Sequence, residues 1–113
     1  TRNKFEIRID LQLKSSKVRY TYETEKIPYT ISGHYIPDFI VTGSTGKKIY
    51  LETKGHFRPE AKRKMVAVKK KWPELDIRLV FYSANKFNIR WATKHGFPYC
   101  FHSIPESWLE GFQ

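Results

Sequence analysis

The chain is poor in the features that mark secreted, membrane-spanning or nucleotide-hydrolysing proteins. It has one cysteine, Cys100, in 113 residues. That excludes an internal disulfide and a cysteine-rich zinc site, and a reducing cytoplasm is the expected compartment. No apolar run approaches the ~18 residues of a membrane span, and no signal-peptide pattern opens the chain. The six glycines form no phosphate-cradling loop, so no nucleotide cofactor is expected. His34, His56, His95 and His102 lack zinc-ligand spacing. Cys100 has no recognisable partner for nucleophilic catalysis. No repeat, linker or low-complexity tract divides the chain, which points to a single domain over residues 1–113. Acidic residues are scarce, eleven against twenty-one Lys and Arg, and the net charge is +10.

That surplus is the first positive clue. A compact domain carrying it repels itself, so a polyanion is the expected partner. Phosphate backbones come first and acidic membrane surfaces second; a basic protein with no polyanion partner is the plain alternative. The charge is also clustered. From Lys54 to Lys71 there are eight Lys or Arg and one acid, Glu60. A solvated helix face is the usual meaning of such a run. Its position beside the acidic residues described below favours a nucleic-acid backbone instead. No pattern for a helix that reads the major groove stands out.

Periodicity supplies the elements. Asn3 reads as an N-cap, with Phe5, Ile9 and Leu13 at helical spacing over Lys4–Leu13. Arg19–Glu23 alternates as a strand. Pro28 and Gly33 mark a loop. Phe39–Val41 and Lys48–Lys54 form a hairpin about the turn Thr42–Gly46. Pro59 opens a helix to Lys71, with Ala61, Met65, Val68 and Trp72 on one face. Ile77–Tyr82 reads as a strand buried on both faces. Trp91–His95 is a short helix closed by Gly96, and Pro105 starts a last one through Leu109. Trp72, Trp91 and Trp108 read as core or interface residues. A hairpin, a crossover helix and a buried strand imply an α/β fold with a mixed central sheet flanked by helices.

The chemistry concentrates in Pro37–Asp38 and Glu52–Thr53–Lys54. Glu52 and Lys54 are two apart and share a strand face; Asp38, at the start of the neighbouring strand, can reach that face. Two carboxylates can bind a hard divalent cation. Such an ion acidifies water and polarises a phosphoryl oxygen, and a lysine can orient that water or stabilise developing charge. A cross-strand ion pair is the plain alternative. Strand placement together with the net charge favours the phosphodiesterase reading. Glu6 stands three residues after Asn3, as in a capping box; it could also bring a third carboxylate from the first helix.

At these residues the sequence resembles a known family. The matching stretches are Phe5–Glu6, Lys26–Ile27–Pro28–Tyr29, Tyr35–Ile36–Pro37–Asp38–Phe39 and Leu51–Glu52–Thr53–Lys54–Gly55. Further on come Pro73–Glu74–Leu75–Asp76–Ile77–Arg78, Lys94–His95–Gly96 and Ile104–Pro105–Glu106. In this order they resemble the phage endonuclease I family of the T-odd coliphages, Holliday-junction resolvases within the PD-(D/E)xK nuclease superfamily. The resemblance implies the PD-(D/E)xK fold and Mg2+ or Mn2+ as cofactor, two ions per active site. It implies Glu6, Asp38, Glu52 and Lys54 as catalytic residues. Glu6, Asp38, Glu52 and the Thr53 carbonyl would hold metal.

It further implies an intertwined, domain-swapped homodimer, with Glu6 from one chain beside Asp38, Glu52 and Lys54 of the other. Two symmetric cuts suit such a dimer. The substrate would be branched double-stranded DNA in the bacterial host cytoplasm. The expected DNA contacts are Arg2, Lys4, His56, Lys62, Arg63, Lys64, Lys86 and Arg90. Two features depart from the family. Its basic, Ser- and Thr-rich loop is missing between Arg90 and Trp91, and the chain ends at Gln113 before the expected basic tail. The rival functions are a nicking or mismatch endonuclease of the same superfamily and a catalytically silent DNA-binding module. An RNA-directed role lacks the aromatic motifs of common RNA modules.

Overall fold

A computed structural model describes residues 2–30 and 33–113. Helix α1 (Lys4–Ser15) starts at a complete capping box. The Asn3 side chain accepts from the Glu6 N–H and the Glu6 carboxylate accepts from the Asn3 N–H. The helix runs two residues beyond the expected Leu13, and Ser16 caps it. Strand β1 (Arg19–Tyr22) follows. It stops one residue short of the expected Glu23, which takes a left-handed φ of 48° and so cannot extend the ladder.

The loop expected between Pro28 and Gly33 is flanked by a two-stranded ribbon, β2 (Ile27–Pro28) with β3 (His34–Tyr35); residues 31 and 32 lie outside the described residues. Strands β4 (Phe39–Thr42) and β5 (Lys48–Lys54) form the expected antiparallel hairpin. Gly46 turns it at φ 87°, a conformation that side chains disfavour. Helix α2 (Pro59–Lys71) has the expected ends and carries the chain over to β6 (Ile77–Phe81), parallel to β5.

Helix α3 (Lys86–His95) begins five residues before the expected Trp91. Its cap is Asn85, whose side chain accepts from the N–H groups of Phe87 and Asn88. The helix runs uninterrupted through Arg90 and Trp91 and ends on Gly96 at φ 75°, so the backbone is continuous at the point where the family's loop is missing from the sequence. Strand β7 (Tyr99–Phe101), which the sequence reading did not anticipate, pairs parallel with β6. Helix α4 (Glu106–Leu109) follows Pro105.

The five-stranded sheet has the order β1-β4-β5-β6-β7 and is mixed, as expected. Its alternating side chains build two cores. On one face Phe39, Val41, Leu51 and Val80 pack with Phe5, Ile9 and Leu13 of α1 and Leu109 of α4. On the other, Ile40, Tyr50, Leu79 and Phe81 pack with Met65 and Val68 of α2 and Ala92 of α3. Trp72, Trp91 and Trp108 are half-buried against these cores. Burial pushes the Cys100 thiol up to about 12, which suppresses the thiolate needed for nucleophilic chemistry. Among the described residues no helix is long and apolar enough to cross a membrane.

Candidate active site at the end of strands β4 and β5

The pairing of β4 with β5 sets the site. Phe39 stands opposite Leu51, so Asp38 just before β4 comes level with the end of β5. Oδ2 of Asp38 accepts from both the N–H and the hydroxyl of Thr53, each at 2.8 Å. These two donors fix the carboxylate's position.

Glu52 is buried, 6% exposed, a burial rare for an unpaired carboxylate. Its partners are Lys54, at 2.9 Å, and the Tyr35 hydroxyl, which donates at 3.0 Å. Glu52 and Lys54 thus share one strand face, as their spacing predicts.

Electrostatics sets this region apart. Burial and the nearby Glu52 push Asp38 up to about 7, against the pull of its two bonds from Thr53. Burial also raises Glu52, although Lys54 and Tyr35 draw it back. For Lys54 burial works against the charge, but Glu52, Asp38 and Glu6 more than offset it and raise the pKa. Burial and Glu52 hold the Tyr35 phenol well above its ordinary value, so it stays a donor. Glu52, Asp38 and Glu6 thus all act on Lys54, and Lys64 also draws Glu52 down.

Glu6 reaches the region from α1. It is buried, 8% exposed, caps its own helix, and receives the Tyr22 hydroxyl at 3.4 Å. Capping and an active-site position therefore coexist in one side chain. The sequence reading missed Glu23. Oxygens of Glu6, Glu23 and Asp38 lie within 4.8 Å of one another. No spacing rule signals Glu23; only the turn after β1 brings it in. The donor set fits a hard divalent ion: carboxylate oxygens with no soft ligand among them. Of the carboxylates expected to hold metal, Glu6 and Asp38 lie in this cluster with Glu23, while Glu52 stands outside it and acts on Asp38 through its charge.

A cleft of about 610 Å³ opens from Glu52 and Lys54 between the β2–β3 ribbon and α2, and Arg63 and Lys64 line it. The other expected DNA contacts are spread out. Lys4, His56, Lys86 and Arg90 are exposed, and Lys62 is half-buried with its ammonium 5.5 Å from the Phe57 ring. Arg2 pairs with Asp10 at 2.9 Å and lies 3.9 Å over the Tyr22 ring.

Known proteins place the fold and the chain. In fold the chain is similar to a solved EndoMS–double-stranded DNA complex. The TM-score is 0.50 at 15% identity, over 93% of this chain and 47% of that one; the chain thus spans about half of the matched structure. All 113 residues match one family model, and its class is that of an endonuclease. More narrowly, the chain belongs to the phage endonuclease I family. It is 32% identical to the endonuclease I of Escherichia phage T7, over 96% of this chain and 78% of that protein. It is 34% identical to endodeoxyribonuclease 1 of Enterobacteria phage T3, over 92% and 73%.

Proposed function

We propose that the protein is a structure-selective, metal-dependent DNA endonuclease that resolves four-way junctions and other branched DNA. The observation that carries the chemistry is the buried Glu52, held between Lys54 and Tyr35 with Asp38 fixed on the neighbouring strand. A divalent ion there, Mg2+ or Mn2+, supplies an acidified water and a polarised phosphoryl oxygen. Asp38, Glu52, Glu6 and the Thr53 carbonyl are the proposed ligands for two ions per site.

The chain's own residues do the rest. Thr53 holds Asp38 still through two donors. Tyr35 and Lys54 keep Glu52 in place with little freedom. The Lys54 ammonium, half-buried, orients the attacking water and offsets charge growing on the scissile phosphate. In-line attack leaves 5′-phosphate and 3′-hydroxyl ends.

The working form on this reading is an intertwined homodimer of single-domain chains in the host cytoplasm. Glu6 meets Asp38 within one chain; a swapped dimer would make the same contact between chains. Rigidly related basic surfaces then select bent duplex arms, with Lys4, His56, Lys62, Arg63, Lys64, Lys86 and Arg90 as DNA contacts. Arg2 is the least available of the proposed contacts.

The test is cleavage of a synthetic four-way junction beside its matching linear duplex, with Mg2+ and with EDTA. Metal-dependent paired cuts near the branch point, with the duplex spared, are expected. Equal cutting of both would favour a general, nicking or mismatch nuclease and implicate the continuous α3 in lost selectivity. Junction binding without cutting would leave a DNA-binding module.

A further inference from the structure

The parallel strands β5, β6 and β7 end side by side, and aromatic rings line that edge. Lys54 closes β5. One strand over, Tyr82 follows β6, and its N–H donates to the Lys54 carbonyl at 3.0 Å. Two strands over, His102 follows β7, and its N–H donates to the Phe81 carbonyl at 2.9 Å. His102 takes a left-handed φ of 73°, a conformation that histidine enters more often than most side chains. With strands about 4.8 Å apart, the two backbones stand about 5 and about 10 Å from Lys54. The Tyr82 ring lies 6.5 Å from the His102 ring and 5.5 Å from that of buried Phe5, between centroids. Phe101 adjoins His102 at 6.0 Å, and Phe5 precedes Glu6 in α1. Tyr82 is nonetheless 53% exposed and Phe101 40%, and His102 is exposed as well. Arg8, also exposed, lies 5.4 Å from the Phe5 ring and 5.8 Å from the Tyr82 ring. Lys4 stands one turn before it on α1. Among the described residues neither cation is in an ion pair.

We propose that Tyr82 and His102 form a shelf that stacks on a nucleobase uncovered at the branch point of the DNA substrate, with Arg8 on the adjoining phosphate. The inference rests on the branched-DNA reading above and gives it a source of selectivity. Contiguous exposed apolar patches mark interaction sites. This one is continuous with the proposed active site through the bond from Tyr82 to Lys54. Its chemistry fits nucleic acid: aromatic rings stack on any base, and a guanidinium beside them attracts the backbone. A base inside a duplex has both faces covered by its neighbours. A branch interrupts the stack and leaves a face open, so a ring held beside the scissile phosphate favours branched DNA over continuous duplex. Nucleotides of one strand rise about 3.4 Å each, which puts the shelf about one to three nucleotides from a phosphate at Lys54. The two backbone bonds set the shelf before DNA arrives, and tyrosine loses little rotamer freedom on contact.

The test is binding of a four-way junction and of its matching linear duplex, in EDTA so that the strands stay whole, to the wild type, Tyr82→Leu and Tyr82→Phe. The junction carries 2-aminopurine at the branch point, a base whose fluorescence falls when it stacks. Urea melts and sedimentation report folding and oligomeric state. Tyr82→Leu keeps apolar bulk against Phe5 but has no aromatic face. It is expected to weaken junction binding at least about fivefold, the lower end of losing one base–aromatic stack, and to leave duplex binding unchanged. Its saturated junction complex should be brighter than that of the wild type, and Tyr82→Phe should match the wild type throughout. Should Tyr82→Leu fail to fold, His102→Asn, which tolerates the left-handed backbone, decides by the same readings. Unchanged junction affinity, or equal weakening on both DNAs, in a folded variant overturns the proposal. A changed oligomeric state overturns it too and makes the shelf a contact between copies of the chain. If the wild type itself binds junction and duplex alike, the branched-DNA reading fails, and this inference with it.

Discussion

Asp10, in α1, and Asp38, just before β4, are aspartates with opposite surroundings. Asp10 is 6% exposed and fully compensated. The Tyr20 hydroxyl donates to it, Arg2 stands at 2.9 Å and Lys14 at 3.3 Å. The Tyr20 bond above all, with Lys14 and Arg2, holds it below the ordinary carboxylate value despite burial. Asp38 has two donors from Thr53 but, among the described residues, no ion pair, and burial with Glu52 lifts it to about 7. One region gives its carboxylate two cations; the other brings three acids, Glu52, Asp38 and Glu6, to bear on Lys54. A compensated buried carboxylate stabilises the fold that contains it. An under-compensated group of carboxylates costs stability until a cation arrives. That contrast separates structural acids from candidate catalytic ones better than burial does, since both aspartates are removed from bulk water.

The sharpest way to break the comparison is to remove a charge from each region. Lys54→Ala is expected to lower junction cleavage by about 10³-fold, the scale of losing a main transition-state stabiliser, while junction binding is kept. Asp10→Asn should leave cleavage per folded molecule unchanged and lower unfolding stability by about 2 kcal/mol, the scale of breaking a buried hydrogen-bonded charge. Cleavage rates, gel-shift binding and urea melts of both variants check this. Loss of binding in Lys54→Ala equal to the loss of cleavage, with folding intact, would remove Lys54 from the catalytic role.

The pH dependence of stability should differ in sign between the two aspartates. Asp38 has a folded pKa above its unfolded one. Its favourable contribution is fully present below about pH 4 and is lost as pH rises through about 7. Asp10 has a depressed pKa, so its contribution is present above about pH 4 and lost as pH falls below that. In EDTA the protein should therefore lose up to a few kcal/mol between pH 5 and pH 8 through Asp38. Mg2+ should restore more stability at pH 8 than at pH 5. Urea unfolding across that range measures it, and Asp38→Asn should flatten the slope. A flat wild-type profile in EDTA would place Asp38 among the compensated acids.

Much of the frame was legible in the sequence because it carries strong punctuation. Pro59 and Trp72–Pro73 bound α2, and Gly55 follows β5. Asp38 and Glu52 were legible as neighbours because the turn between their strands fixes the register. Three features were not. Strand β7 has only Tyr99–Cys100–Phe101 and exists through its parallel pairing with β6, which no local pattern encodes. The start of α3 was hidden because Lys86–Arg90 has no apolar stripe, although Asn85 was available as a cap. Glu23 was hidden because its position depends on how β1 pairs with β4 and on one left-handed φ. Local chemistry reads well from sequence; a group that arrives by tertiary pairing does not.

The smallest expected effect concerns two arginines, and it carries the same contrast into DNA binding. Arg63 lines the cleft that opens from Glu52 and Lys54 and is exposed. Arg2 is bonded to Asp10 and laid over Tyr22. If Arg63 meets phosphate, Arg63→Ala should weaken binding to all junction sequences alike, by roughly 1 kcal/mol, and lower the salt slope by about one. Arg2→Ala should act mainly through stability, by up to about 1 kcal/mol, because it withdraws one of Asp10's two cations. Its salt slope should match the wild type. Junction binding measured across a salt series, beside urea melts, resolves the two. A reduced salt slope in Arg2→Ala would mean that Arg2 leaves Asp10 when DNA arrives, and that the compensated region of the fold is drawn into substrate binding.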